Sequence, residues 1–171
     1  MINNTIKCFL LVGIPASGKS TFAKQLATEE DAVILSTDSI RAKLYGNESI
    51  QGKWSDIERE LHKSIKHYIS LNVPVIVDAT HTKPEHRKPL LNLSSRIKWA
   101  CYWLDADLSD CLERNQARTR TVPSHVIESM YNQLKLTPPA MVEGFENVYQ
   151  IKVRNNMFII LDSLLMPLYI I

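Results

Sequence analysis

Eight consecutive residues near the start of the chain have the types and spacing of a phosphate-binding loop. Residues 13–20 read Gly-Ile-Pro-Ala-Ser-Gly-Lys-Ser and match the pattern GxxxxGK[ST] in full. In such a P-loop the backbone N–H groups point at phosphate oxygens, and the following helix adds the positive end of its dipole. The lysine reaches the β- and γ-phosphates and the last hydroxyl can ligate Mg²⁺.

The loop therefore predicts binding of ATP, or another nucleoside triphosphate, together with Mg²⁺. Lys19 is also predicted to be catalytic, and Ser20 is the predicted metal ligand. The residues predicted to contact the nucleotide from this segment are Gly13, Ala16, Ser17, Gly18, Lys19, Ser20 and Thr21.

An aspartate and an arginine follow the next apolar segment, residues 32–35. Asp38 can accept the proton of a hydroxyl that attacks a phosphate, which predicts a catalytic general base that also contacts the acceptor. A Mg²⁺ partner or a helix N-cap are the alternatives, the cap because Ser36, Thr37 and Asp38 all suit that position. Arg41 lies three residues further on, on the same side of a predicted helix. A base and a cation together suit an acceptor with an anionic group near its hydroxyl.

A second aspartate ends the apolar run at residues 75–77. Asp78 stands where a Walker B carboxylate supports Mg²⁺, and it could equally orient Arg41 or the acceptor. Thr80 and His81 follow directly and are also predicted to contact the acceptor. We expect His81 to be a binding or surface residue rather than a catalyst, since Asp38 already fills the role of base.

Arginines cluster in a segment that we predict to be a helical lid, at about residues 106–121. Arg114 and Arg118 lie four residues apart on one face of a predicted helix, and Arg120 follows in the loop before Pro123. Phosphoryl transfer needs cations around the transferred group, and a closing lid would supply them and exclude water. Arg114 and Arg118 are predicted to contact the nucleotide, with Arg118 catalytic; a solvated basic face is the alternative.

Other basic and aromatic residues could contact a polynucleotide, although a solvated face is the favoured interpretation of both basic groups. The groups are Arg59, Lys63 and Lys66, and Lys83, Arg87 and Lys88. Trp54 stands in a polar loop and is a better candidate for base stacking than Trp99 or Trp103, which fall in or near a strand.

These residues must be positioned by alternating strands and helices. Apolar runs predict strands at residues 6–12, 32–35, 75–77, 98–104 and 158–161. Helical spacing predicts helices at residues 20–27, 39–45, 55–71, 84–93 and 108–118, and one that begins at Pro123. Ser55 and Glu58 suggest a capping box at the start of the third helix. The alternation predicts an α/β fold with a mainly parallel central sheet, flanked by helices on both faces, and with the motifs at the carboxyl ends of its strands.

Length and composition favour one globular domain spanning residues 1–171. Hydrophobic residues make up 45% and charged residues 22%, and the net charge of +2 is too mild to indicate nucleic-acid binding by itself. The three cysteines have neither disulfide nor metal-site spacing, so we expect them to be reduced and partly buried. No stretch resembles a signal peptide or a membrane span, which predicts a cytoplasmic protein without a membrane partner.

In combination these motifs resemble the 5′-hydroxyl polynucleotide kinase domain of phage and bacterial end-healing enzymes, and AAA_33-like predicted kinases. The similar segments are residues 13–21, 36–41, 77–81, 113–118, 122–133 and 143–146, within a resemblance that covers about residues 6–151. The resemblance implies a P-loop NTPase fold. It also implies Asp38 as base for the ribose 5′-OH, Arg41 on the neighbouring phosphate, Asp78 supporting the acceptor site and Arg118 as the lid arginine, assisted by Arg114 or Arg120. His81 stands where the family often has asparagine.

Three functions stay open. The first is an ATP-dependent polynucleotide 5′-hydroxyl kinase, which transfers the γ-phosphate to a 5′-OH end of RNA or DNA with Mg²⁺ and has RNA-repair proteins as candidate partners. The second is the same chemistry on a small metabolite, nucleoside or sugar nucleotide, because the Asp-x-x-Arg pattern also occurs in broader P-loop kinases. The third is a nucleotide-binding module that acts through a partner protein.

Overall fold

A computed structural model describes residues 5–154 and 157–161 as alternating strands and helices. The strands are β1 (Ile6–Val12), β2 (Val33–Ser36), β3 (Val75–Asp78), β4 (Ile97–Ala106), β5 (Asn147–Arg154) and β6 (Met157–Leu161). The helices are α1 (Lys19–Glu30), α2 (Thr37–Tyr45), α3 (Trp54–Ser70), α4 (Pro84–Leu91), α5 (Leu108–Gln116) and α6 (Ser124–Leu136), and a 3-10 turn spans Met141–Glu143.

The strands form one sheet in the order β2-β3-β1-β4-β5-β6. The first five are parallel, and β6 alone runs antiparallel, against β5. The predicted α/β fold with a mainly parallel sheet is therefore confirmed. In this order β1 connects through α1 to β2, on one side of β1, whereas β3 connects through α4 to β4, on the other side of β1. The carboxyl end of β1 therefore lies at a point where the strand order reverses, which is where such sheets bind ligands.

Helices cover both faces of the sheet, as two side chains of β4 show. The ring of Tyr102 lies 5.2 Å from that of Phe22 in α1. Trp99, three residues earlier and hence on the opposite face, donates its indole N–H to the carbonyl of Leu90 in α4 at 3.0 Å. Between these layers the residues 8–12 of β1 are fully buried. Such burial on both faces explains why this strand is a continuous apolar run.

Helix α3 supplies one side of the core through the stripe that its sequence predicts. Ile57, Leu61, Ile65 and Ile69 recur every four residues and are all buried. The predicted capping box is wrong, because the helix begins at Trp54 with Lys53 as its N-cap and no side chain caps it. Ser55 therefore lies inside the first turn.

Strand β5 is missing from the sequence prediction. It alternates buried residues such as Ile151 and Val153 with half-buried polar ones such as Gln150 and Lys152, so no continuous apolar run marks it. The strand predicted at residues 158–161 is present as part of β6, but it pairs with β5 and not with a parallel neighbour.

The cysteines and the helix lengths bear on two further expectations. Cys8, Cys101 and Cys111 are buried and form no disulfide. No helix within residues 5–154 is long and apolar enough to cross a membrane.

Candidate phosphoryl-transfer site

The P-loop connects β1 to α1 through backbone conformations that suit an anion. Ala16 has φ 62° and Gly18 has φ 95°, both in the left-handed region. Left-handed residues within a turn bring successive N–H groups together into a concave anion site. Gly13 donates its N–H to the carbonyl of Thr80 at 3.0 Å, which fastens the loop to the segment after β3.

Two glycines of the loop are required by the space around them. A Cβ atom on Gly13 would lie 2.8 Å from the Ser17 Oγ and 3.0 Å from the Leu104 carbonyl. At Gly18 a side chain would be strained by the positive φ and would lie 3.3 Å from the ring of Phe158. The motif glycines therefore follow from packing as well as from phosphate access.

The Lys19 ammonium is buried inside the loop, where its hydrogen bonds go to neutral oxygens. Its ammonium donates to the carbonyl of Ile14 at 2.7 Å and lies 3.4 Å from the Ser17 Oγ. Burial lowers the pKa of Lys19 to about 8, with the Asp78 carboxylate opposing and the Arg118 guanidinium adding to the shift. A phosphate beside this ammonium would restore its charged form.

Ser20 and Asp78 meet at the carboxyl ends of the strands. The Ser20 hydroxyl donates to Asp78 Oδ2 at 2.8 Å, and Asp78 stands opposite Ser36 of β2 in the sheet. Ser20 is exposed toward solvent while Asp78 is buried. A hydroxyl and a carboxylate are oxygen donors of the kind that Mg²⁺ takes. The pair therefore fits a magnesium site with Ser20 as the ligand and Asp78 as its support.

Asp38 lies at the start of α2 with its carboxylate free of any capping role. The Ser36 side chain is the N-cap and accepts the Asp38 N–H at 3.2 Å. Asp38 Oδ1 accepts a hydrogen bond from Arg41 at 2.8 Å, and Oδ2 lies 3.3 Å from Arg120 Nη1. The structure thus brings the predicted base and its predicted cation together, about half exposed at the mouth of the site.

The arginines of the predicted lid do not lie on one helix face. Helix α5 ends at Gln116, so Arg118 stands beyond it, and this part of the helix prediction is wrong. Arg114 lies 3.7 Å from Asp110 within the helix. Arg118 is exposed and its charge acts on Lys19, whereas Arg120 reaches Asp38 and also Glu48, at 3.6 Å. Arg118 therefore acts electrostatically on the P-loop lysine, whereas Arg120 contacts Asp38.

Asn115 closes the loop that carries these arginines. Its side-chain amide donates to the carbonyl of Val122 at 2.8 Å and accepts the N–H of the same residue at 2.9 Å. The side chain is buried, so residues 117–121 form a short loop pinned at its base. Sequence reasoning missed this residue; the signal was a polar side chain at a buried helical position before a short loop that ends in proline.

A buried carboxylate anchors the strand end from which the lid segment departs. Asp105 of β4 accepts hydrogen bonds from Lys152, Lys135 and Gln150. Burial acts to raise the pKa of Asp105, but these hydrogen bonds outweigh it and hold the pKa below its usual range. The cluster ties α6 and β5 to the end of β4, one residue before the predicted lid begins.

His81 and Thr80 lie in the loop after β3. His81 is buried at φ 44°, and its Nδ1–H donates to the carbonyl of Leu11 at 3.3 Å. Burial lowers the pKa of His81 to about 4, so its ring is neutral at pH 7. The surface alternative for His81 is wrong, and contact with an acceptor would need the loop to move. Thr80 is half-buried, and its carbonyl holds the P-loop as described.

Arg87 is wrongly placed in the predicted basic surface group. Its side chain is fully buried and its guanidinium makes a two-fold contact with Glu143, at 2.8 and 2.7 Å. It also donates to the carbonyls of His81, at 2.9 Å, and Thr137, at 3.2 Å. Arg87 therefore fixes the loop after β3 from the protein interior.

Trp54 is half-buried with its ring 5.1 Å from that of His86.

A profile of the AAA_33 family, described as an AAA domain, matches residues 9–137. The chain belongs to this family. The AAA_33 chain is 32% identical over 132 residues to L-seryl-tRNA(Sec) kinase from Methanococcus maripaludis, covering 72% of this chain and 51% of that protein. The chain thus spans about half the length of this curated relative.

Solved structures share the fold of the AAA_33 chain. A chain of the Pnkp1/Rnl/Hen1 RNA repair complex superposes with a TM-score of 0.71 at 23% identity, covering 78% of this chain and 45% of that chain. A gluconokinase from Sinorhizobium meliloti 1021 gives a TM-score of 0.56 at 19% identity, covering 85% and 82%. At these identities the likenesses show a shared fold, and they leave the activity and the acceptor undecided.

Proposed function

We propose that this protein is a Mg²⁺- and ATP-dependent polynucleotide 5′-hydroxyl kinase, built as one kinase domain with a lid at about residues 106–121 and acting in the cytoplasm. The observation that carries the proposal is the position of the Asp38 carboxylate, which lies 2.8 Å from Arg41 and 3.3 Å from Arg120. This carboxylate lies at the same edge of the sheet as the P-loop, where the parallel strands end. A base flanked by two guanidiniums suits a hydroxyl that stands next to a phosphate. A 5′-OH end of RNA or DNA has this arrangement in every sequence.

On the donor side, the chain's own groups bind and neutralise the triphosphate. The N–H groups of Ala16 and Gly18, together with those at the amino end of α1, would face the β-phosphate, and Lys19 adds its charge. Arg118, whose charge already acts on Lys19, adds a second cation to the γ-phosphate, and Arg114, four residues earlier, is proposed to assist. Ser20, with support from Asp78, would hold Mg²⁺, which would supply further neutralisation of the phosphate charge.

On the acceptor side, Asp38 takes one proton. The 5′-oxygen of the acceptor attacks the γ-phosphorus, a new O–P bond forms, and the bond from the γ-phosphorus to the bridging oxygen of ADP breaks. The hydroxyl proton moves to the Asp38 carboxylate, which later releases it to solvent. Arg41 holds the phosphate that neighbours the attacking ribose, so the hydroxyl is directed at the γ-phosphate.

Two other acceptors have specific support. The 32% identity to L-seryl-tRNA(Sec) kinase favours a seryl hydroxyl carried by a tRNA. The fold shared with a gluconokinase favours a small sugar acid. We prefer the polynucleotide end because the guanidiniums of Arg41 and Arg120 contact the Asp38 carboxylate itself. This carboxylate is about half exposed, which suits a substrate that is larger than the site. RNA-repair proteins are proposed partners, by analogy with the RNA repair complex.

The proposal is tested with a panel of acceptors and γ-labelled ATP. The panel holds a 5′-OH RNA oligonucleotide, the matching DNA, a seryl-tRNA, a nucleoside and gluconate. We expect label on the oligonucleotide ends, and none when a 5′-phosphate replaces the 5′-OH. Label only on seryl-tRNA or gluconate would replace the proposed acceptor, and tight ATP binding without transfer to any acceptor would favour a nucleotide-binding module instead.

A further inference from the structure

Arg120 forms an ion pair with Asp38, the proposed base, at the entrance to the acceptor side, by which we mean the surface around Asp38 and Glu48. Its Nη1 is 3.3 Å from Asp38 Oδ2 and 3.6 Å from Glu48 Oε1. Arg41 holds the other oxygen of Asp38, Oδ1, at 2.8 Å. Both oxygens of the carboxylate therefore face a guanidinium. Arg120 comes from the loop after α5, and its two partners come from α2 and the loop that follows it, so the contact joins separate parts of the site.

The arrangement limits the carboxylate as a base. An incoming hydroxyl must donate its hydrogen to an oxygen of Asp38 before it can transfer a proton. With Arg41 on one oxygen and Arg120 on the other, that hydroxyl competes with a cation at either place. Each oxygen keeps a second lone pair, but its negative charge is shared with a guanidinium. A group that draws a guanidinium away leaves that oxygen to the hydroxyl, and an acceptor anion does so because phosphate and guanidinium form strong charge-assisted hydrogen bonds.

Arg120 is better suited to this exchange than Arg41. Its side chain is 29% exposed and its partners Asp38 and Glu48 are 49% and 54% exposed, whereas the side chain of Arg41 is 14% exposed. Ion pairs between exposed groups are screened by water and contribute little, so this contact is easily exchanged. Asn115 pins Val122, two residues from Arg120, so the guanidinium stays near the entrance when it leaves Asp38.

We propose that Arg120 determines specificity on the acceptor side: it occupies Asp38 until the anionic group of an acceptor takes it over, which frees Oδ2 for the hydroxyl. This inference rests on the proposed function and deepens it, because it selects acceptors that carry a phosphate beside the hydroxyl. A neutral acceptor offers Arg120 no competing anion and meets a base whose charge is still shared with both guanidiniums. Within the described part of the chain Arg118 makes no ion pair with Asp38, so this role is not assigned to it.

The kinetic test compares two acceptors that differ only in the anion, a nucleoside 3′-monophosphate and the same nucleoside, each with a free 5′-OH. For wild type we expect a higher kcat/KM for the monophosphate. In Arg120→Gln this preference should fall at least tenfold, with kcat/KM lower for the monophosphate and higher for the nucleoside. Arg96→Gln is the matched control, because Arg96 is exposed, bonds the Asn72 side chain and stands just before β4, at the opposite edge of the sheet.

A binding measurement decides the inference independently of turnover. Calorimetry with a non-hydrolysable ATP analogue present should show the affinity for the nucleoside 3′-monophosphate at least fivefold weaker in Arg120→Gln, and the affinity for the analogue itself unchanged. An unchanged preference, or an equal loss for both acceptors together with weaker analogue binding, would overturn the inference. If wild type phosphorylates neither of these acceptors nor a 5′-OH oligonucleotide, the proposed function fails. The inference is then overturned as well if wild type does not bind the monophosphate or if Arg120→Gln binds it equally well.

Discussion

Arg87 and Glu143 form the least exposed ion pair among the described residues that flank the site. Replacing Arg87 with methionine removes the cation of this pair. The guanidinium is fully buried, bonds Glu143 through two nitrogens and donates to the carbonyls of His81 and Thr137. Methionine fills much of the same volume and supplies none of these donors. The change leaves a carboxylate that is only 10% exposed without a counter-ion.

The expected cost is large for a single substitution. Removing one partner of a buried ion pair costs about 3–5 kcal/mol, because the remaining charge stays buried and uncompensated. The two carbonyls also lose a donor, so we expect a value near the upper end, about 4–5 kcal/mol. A domain has about 5–15 kcal/mol of stability in total, so the variant should be close to unfolding at 37 °C.

Urea unfolding followed by circular dichroism measures this cost. With a slope of about 2 kcal/mol per molar urea, the midpoint should fall by about 2 M. Arg59→Met is the matched control, because Arg59 bonds Asp56 at the same 2.8 Å but is 75% exposed; it should cost below about 0.5 kcal/mol. In the double variant Arg87→Met with Glu143→Leu, no buried charge is left, so the loss should be at least about 2 kcal/mol smaller than the two single losses added together.

The reasoning is refuted if Arg87→Met costs less than about 1 kcal/mol, or if the buried and exposed variants cost the same. Additive single losses would likewise show that the two side chains do not depend on each other. Any folded Arg87→Met protein should also bind ATP and Mg²⁺ more weakly, because the guanidinium holds the loop that carries Thr80 against the P-loop.

Three further predictions concern the donor side and the loop behind it. The affinity for ATP should fall as pH rises above about 8, where the Lys19 ammonium loses its proton in the free protein, and Lys19→Arg should flatten this dependence; fluorescence titration at pH 7 to 9.5 measures it, and a flat wild-type curve contradicts it. His81 has a folded pKa of about 4 against an unfolded value of 6.5, so the unfolded chain binds the extra proton. The stability present above pH 6.5 should drop by about 2–3 kcal/mol between pH 7 and 4.5. His81→Asn, which suits the left-handed φ, should show a drop smaller by that amount in urea unfolding; an equal drop in both proteins would contradict the assignment. Gly18→Ala and Gly46→Ala both place a side chain at positive φ, but only the first lies in the P-loop; only the first should weaken ATP binding tenfold or more by calorimetry, and equal losses would contradict it.

The parts of the site that the sequence predicts are those encoded over short stretches. The P-loop is contiguous, and its glycines are required by contacts within the loop or with the neighbouring strand end. Asp38 and Asp78 follow apolar runs, and parallel strands bring their carboxyl ends to one edge, so the contact of Asp78 with Ser20 follows from the fold class. The stripe of α3 is visible because four-residue spacing is a local property.

The parts that escape prediction depend on partners distant in sequence. Arg87 and Glu143 are 56 residues apart, so nothing local distinguishes Arg87 from the exposed lysines beside it. Strand β5 is half polar because Gln150 and Lys152 donate hydrogen bonds to the buried Asp105, and these polar residues mask the apolar pattern. Arg120 follows α5 in a short loop whose direction is set by Asn115, which spacing along the chain does not reveal.

The most direct measurement compares the rate of γ-phosphate transfer from ATP to a 5′-OH oligonucleotide in wild type and Asp38→Asn, with ATP affinity measured on the same preparations. Asparagine keeps the shape of the side chain but accepts no proton, and a general base contributes about 10²–10⁴-fold. Our account predicts labelled ends with wild type, a loss of kcat within that range for Asp38→Asn, and ATP affinity unchanged within about threefold. Unlabelled ends with wild type, or a parallel loss of ATP binding and transfer in the variant, would contradict it.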